Sequence, residues 1–227
     1  MFSTGSRPLN CFTTRGGHSH SLLQIRWEGL SSAKLVEDLA GDKVGVLDTD
    51  PRVSNGLFSL RKTLTTRDRA QYRLLGVDTG DIIGNVCRSI CAGQTELSIA
   101  AELTKQCLRR GIDAVVTLIA ADDRMDTCRH PLPTSKPVSQ RVMVVVCGRR
   151  HGLIASATRI VHFGPVSNEL RKKHDAVTYI DARVILASRE GKTGADMFQT
   201  LKNAYEERGF GSEWQFHHQG GATGYKT

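Results

Sequence analysis

Gly93-Gln94-Thr95-Glu96-Leu97-Ser98-Ile99-Ala100-Ala101-Glu102-Leu103 opens a segment that stops at Arg109-Arg110-Gly111. The same punctuation returns in Gly191-Lys192-Thr193, which runs to Arg208-Gly209 with the same glycine-to-glycine separation. The glycine allows the backbone turn, and the threonine hydroxyl is suited to cap the helix that follows. Arg109 and Arg110 put cations at the negative end of the first of these helices. A long helical pattern precedes each copy: Thr65 or Thr66, with Asp68 in the first turn, to Ile90, and Ser167 to Arg189. An apolar run follows each copy, Ile112–Ala121 in the first and Trp214–His218 in the second, and both read as strands. The spacing therefore predicts a duplicated unit of helix, turn, helix and strand.

Two further strands, Arg141–Cys147 and Leu153–Phe163, read as a pair joined by the turn Gly148–Gly152. A polar connection containing Pro131, Pro133 and Pro137 leads into them. Upstream, residues 1–30 lack pattern, Ser32–Leu39 suits a short helix, and Lys43–Leu47 suits a strand. Asp48–Asn55, with Pro51, is turn-rich. The division expected is 1–56 as the remnant of a small α/β domain and 57–227 as the main domain.

The bulk composition is that of a folded chain: 39% hydrophobic and 24% charged over 227 residues. The longest clean apolar run, Val142–Cys147, suits a buried strand and is far too short to span a bilayer. Six cysteines form no C-x-x-C pair and no zinc-finger spacing, so a reducing cytoplasm is expected. An organellar leader is the competing reading, because residues 1–27 lack acids and are rich in Ser, Thr and Arg. The net charge is +8, with clusters at Arg109-Arg110, Arg149-Arg150-His151 and Arg171-Lys172-Lys173-His174. Such charge favours acidic partners, nucleic acid included, but no aromatic residues interleave as a base-stacking platform requires.

The Gly93–Leu103 segment resembles the "G-x-T-E-x-E-I-A-A-E-L" stretch of the creatinase, aminopeptidase P and prolidase family. Ala155-Ser156-Ala157-Thr158-Arg159 is similar to that family's "S-D-I-T-R" strand, and His218-Gln219-Gly220-Gly221-Ala222 to its "H-x-x-x-H" loop. The resemblance covers about Leu57–Thr227. It implies an α+β "pita-bread" fold: a duplicated helix-helix-strand arrangement with pseudo-twofold symmetry, a curved antiparallel sheet covered by helices, and truncation at the C-terminal end. It further implies a homodimer and a peptide or small amide substrate.

In that family two aspartates, a histidine and two glutamates hold two divalent ions, such as manganese, cobalt or zinc, that activate water. By the resemblance the first aspartate falls on Val146, the second on Ser156 and the histidine on Ala222, while the glutamates fall beyond Thr227. Valine and alanine offer no ligand atom, and neutral serine is a poor replacement for a carboxylate. Residues 141–163 contain no Asp or Glu to compensate. No metal cofactor is expected at that site.

Two histidines survive. His130 resembles the family's substrate-side histidine and His218 the one four residues before the metal histidine. Both are candidates for catalysis and substrate binding, since an imidazole transfers protons near neutrality. Arg159 is a third candidate contact to substrate. Asp122, Asp123 and Asp126, with His130, form a weaker metal pattern, and Gly220–Gly224 a weaker phosphate loop. The expectation is a degenerate peptidase relative that binds, or hydrolyses without metal, a small peptide or amide. The alternatives are a non-catalytic module for nucleic acid or protein, and a truncated inactive product.

Overall fold

The computed structural model describes residues 63–221 and 223–225. The chain divides into two units, residues 12–69 and residues 1–11 with 70–227; the elements below belong to the second, apart from the opening turn of the first helix. The expected domain boundary at residue 56 and the Ser32–Leu39 and Lys43–Leu47 elements lie outside the described residues, as does Ala222.

Helix α1 spans Thr66–Ser89. Thr65 and Asp68 close its first turn reciprocally: the Thr65 amide donates to the Asp68 carboxylate (2.9 Å) and the Asp68 amide to the Thr65 hydroxyl (3.2 Å). Its buried residues, Leu75, Thr79, Ile82, Ile83 and Val86, recur at helical spacing and define one inward face. Helix α2, Glu96–Arg109, starts at Thr95, whose hydroxyl accepts from the Ser98 amide. It buries Glu96, Ile99, Leu103 and Cys107.

Three strands follow: β1 (Asp113–Ala121), β2 (Arg141–Arg150) and β3 (Leu153–His162), separated after β1 by the one-turn helix α3 (Arg124–Thr127). They form an antiparallel sheet in the order β1-β2-β3. The β2–β3 connection is the two residues His151 and Gly152, both at positive φ (54° and 79°), as a tight hairpin turn demands. Gly148 lies on the helix-facing side of β2. A Cβ there would stand 2.9 Å from both the Thr79 hydroxyl and the Ile112 side chain.

The second helical pair is α4 (Asn168–Ala187), capped by Ser167, and α5 (Gly194–Glu207), capped by Thr193 in a full capping box with Asp196. The repeat predicted from sequence extends to backbone detail. Gly93 and Gly191 both take positive φ (89° and 82°), as do Gly111 and Gly209 (65° and 75°). The amides of Ile112 and Phe210 both return to the carbonyl five residues back, on Cys107 and Tyr205.

After that point the copies part. The first continues into β1, whereas Trp214–His218, expected as a strand, is overlapped instead by a 3-10 turn over Glu213–Phe216. Local packing wins over strand propensity here. Phe210 and Trp214 pack on the cluster of Ile180, Leu201, Ala204 and Tyr205 between α4 and α5, and the Phe198 ring meets Trp214 edge-on at 5.2 Å. The described repeat is therefore helix-turn-helix, without the second strand.

The tight seat of Gly148 yields a test. Gly148→Ala should cost about 1–3 kcal/mol, because the added methyl must displace α1 or the β1 entry. Urea denaturation would measure it, with an unchanged slope expected.

Candidate active site

The connection from β1 to β2 positions the first candidate, His130, and the buried carboxylate of Glu96 with the more exposed Asp122 holds that connection in place. Glu96 is fully buried at the start of α2. It accepts from the Ala121 amide (2.7 Å), the Thr134 amide (2.8 Å) and the Thr134 hydroxyl (2.7 Å), and is paired with Arg124. Arg124 also donates to the Leu132 carbonyl at 3.0 Å. The Ile119 amide donates to the carbonyl of Pro131, so the residue after His130 is fastened to β1.

Asp122, at φ 52°, accepts from the amides of Ser139, Gln140 and Arg141. Burial pulls its carboxyl upward in pKa, but those amides and the Lys136 charge outweigh that and hold it below the ordinary range. Asp123 pairs with Lys136 and Asp126 with Arg141. The Asp122-Asp123-Asp126 pattern thus serves to pin the loop, and the three carboxylates do not converge on His130.

His218 comes from the segment after the 3-10 turn, which Gln219 fixes. The Gln219 amide nitrogen donates to the carbonyls of Trp214 (2.9 Å) and His217 (2.7 Å), and its oxygen accepts from the Tyr205 hydroxyl (3.0 Å). The structure brings His130 and His218 together: their rings stack at 5.8 Å with planes 16° apart. His217, which sequence reasoning passed over, completes the group, with ring centroids 5.1 Å from His130 and 4.2 Å from His218. The adjacent pair His217-His218 was the available signal, but alternation would send neighbours on a strand to opposite faces. The 3-10 turn ends at Phe216, and although His217 is extended (φ −151°, ψ 150°) it pairs into no strand, so alternation across a sheet does not apply.

Partial burial depresses the His130 pKa most, followed by the charges of His218 and Arg129. His217 is also lowered, chiefly by burial, with its ring contact to the His218 carbonyl acting the other way and the charges of His218, His130 and Arg129 adding to the depression.

Among the expected ligand positions, Val146 is fully buried. Register sets Val146 opposite Ala157 and Ser156 opposite Cys147, so Val146 and Ser156 stand on opposite faces of the sheet. The Ser156 hydroxyl donates to the Cys147 sulfur at 3.1 Å. Arg159 pairs with Val144 on the face of Gly148, and one of its guanidinium nitrogens donates to the Thr158 carbonyl. On that face its charge, with that of Arg88, partly offsets the burial that raises the pKa of Cys87 on α1. The basic clusters are paired in part: Arg110 and Arg150 share Asp78, and Arg149 reaches Asp113. Among the described residues no helix is long and apolar enough to cross a membrane.

Two helix pairs and a small antiparallel sheet make an α+β arrangement of the pita-bread class. Residues 76–225 match metallopeptidase family M24, and the chain belongs to that family. Similar solved structures include the X-Pro aminopeptidase of Thermotoga maritima, 21% identical with a TM-score of 0.64, covering 78% of this chain and 56% of that one. The prolidase of Pyrococcus furiosus is 17% identical with a TM-score of 0.70, over 88% of this chain and 58% of its own. The methionine aminopeptidase of Rickettsia prowazekii is 15% identical with a TM-score of 0.56, over 65% of this chain and 62% of its own. This chain therefore spans little more than half the length of the first two. No curated protein sequence matches it significantly.

Two outcomes test the site. Glu96→Ala strands Arg124 and three donors, and should cost about 3–5 kcal/mol in denaturant unfolding. His130 and His217 should titrate below about 6.5 when followed by ring-proton NMR. The unfolded chain then binds those protons first, so acidification from neutrality through that range should lower stability.

Proposed function

We infer that this chain is a divergent M24 protein whose cleft takes a small peptide or amide beside His130 and His218, without the family's pair of metal ions. The observation that carries the reading is the convergence of those two rings from distant parts of the chain, at 5.8 Å. The family's ion pair does not fit the residues present. Val146 is aliphatic and buried, Ser156 faces Cys147 on the other side of the sheet, and neither strand carries a carboxylate. Hard divalent ions at close separation require anionic oxygen, which this hairpin does not supply.

In the metal-free state, any hydrolysis then runs on imidazoles. A neutral His130 takes a proton from water as the water oxygen bonds to the carbonyl carbon, and a protonated His218 gives its proton to the departing nitrogen as the C–N bond breaks. The products are a carboxylic acid and an amine, with no redox change. Homodimerisation and a cytoplasmic setting belong to the same proposal, carried by family resemblance and by the cysteine pattern. Nucleic-acid binding is disfavoured by the ion pairing of Arg110, Arg149 and Arg150.

The test is a screen of Xaa-Pro dipeptides and of ureido and guanidino amides, with His130→Ala and His218→Ala beside the unaltered chain. Loss of a general acid or base should reduce turnover on the order of a hundredfold. Turnover that survives unchanged in both variants refutes the imidazole mechanism. Neither turnover nor substrate binding, by calorimetry, refutes the whole reading.

A further inference from the structure

His130, His217 and His218 each offer a ring nitrogen within 4.8 Å of the others, and the cluster holds no carboxylate or thiol. We propose that these three imidazoles form a mononuclear site for a borderline divalent transition-metal ion, zinc being the probe of choice, distinct from the carboxylate-built centre that Val146 and Ser156 cannot form.

Three observations carry this. The first is geometric. A tetrahedral zinc at about 2.0–2.1 Å from each nitrogen needs nitrogens about 3.3 Å apart, so modest ring rotation closes the remaining gap. Rotation is open to His130 and His218, which are exposed, while half-buried His217 supplies the fixed member.

The second is preorganisation. Pro131 is bonded to β1, and Glu96 holds the strand end and the loop on either side of His130, through Ala121 and Thr134. Gln219 clamps the His217-His218 backbone from the other direction. His217 Nδ1 contacts the His218 carbonyl, which fixes that nitrogen as the donor and leaves Nε2 with a free lone pair. A ligating histidine usually shows this arrangement, its second ring nitrogen donating to a carbonyl.

The third is ligand chemistry. Three imidazoles suit zinc, copper, nickel or cobalt, and they are poor hosts for magnesium, calcium or manganese, which prefer oxygen. Arg129 lies close enough to His130 to depress its pKa, and its charge opposes a cation, so a moderate rather than tight affinity is expected. Three protein ligands leave a fourth tetrahedral position open to water or another ligand.

Ligation needs only the three rings and is independent of turnover. Equilibrium dialysis of the full chain against zinc and against cobalt(II) near pH 7.5 should give one ion per chain. Cobalt(II) should show the intense visible bands of four-coordination rather than the weak ones of a hexa-aquo-like ion. His130→Ala, His217→Ala and His218→Ala should each weaken uptake tenfold or more. His162→Ala, which removes a histidine outside the cluster, should leave it unchanged.

Nitrogen-15 shifts of the three imidazoles on zinc titration of the unaltered chain report ligation without any variant. All three should move together and saturate at one equivalent. Absence of uptake, uptake unaffected by His217→Ala, or shifts confined to one ring would overturn the proposal. Zinc uptake without amide turnover would refute the hydrolase reading and leave this one standing; turnover without uptake would do the reverse.

Discussion

The buried Glu96 carboxylate is the constraint on which the site depends. A charge fully removed from water is tolerable only when it is paired and its lone pairs are filled, and Glu96 meets both conditions through Arg124, Thr134 and the Ala121 amide. Those partners come from three places: the one-turn helix, the connection before β2, and the end of β1. One side chain at the first turn of α2 therefore fixes a polar loop that has little apolar surface with which to fix itself. Asp122 repeats the device at the far end of the same loop, through three backbone amides. His130 projects from a segment made rigid by neighbours rather than by its own packing.

The hairpin beside that loop is built for packing more than for chemistry. Val142, Val144, Val146 and Gly148 turn toward the helices, and Gly148 approaches Thr79 so closely that no side chain fits. Cys147 and Ser156 face each other across the hairpin, and the serine hydroxyl donates to the cysteine sulfur. The histidine cluster lies on loop segments rather than on the hairpin. Loops held by hydrogen bonds can bring residues together from distant parts of a chain without disturbing a close-packed sheet.

Much of the architecture could be read from the chain. Glycines at 93, 111, 191 and 209 marked positive-φ positions, Thr95 and Thr193 marked caps, and the inward faces of α1 and α2 followed helical spacing. These signals are local, acting through backbone sterics and hydrogen bonds within one turn, so sequence alone suffices to set them. The second strand failed for the opposite reason. Trp214–His218 has strand-like composition, but a strand requires a partner. Packing of Trp214 and Phe210 against α4 and α5 instead favoured a tight turn.

The site divides along the same line. The absence of acids between residues 141 and 163 is written in the sequence and needs no fold to be recognised. That His130 and His218 belong together followed from resemblance, and their separation along the chain hid any direct sign of it. His217 was invisible as a member of the group, because it lies in a loop outside any strand, where no periodicity tells which way a ring turns. Register likewise decided that Ser156 meets Cys147 rather than Val146, a result of a hairpin turn of only two residues. Local steric rules let the sequence determine where the chain turns and what it lacks. Long-range packing and pairing left to the tertiary structure which side chains meet, because that depends on partners far away in the chain.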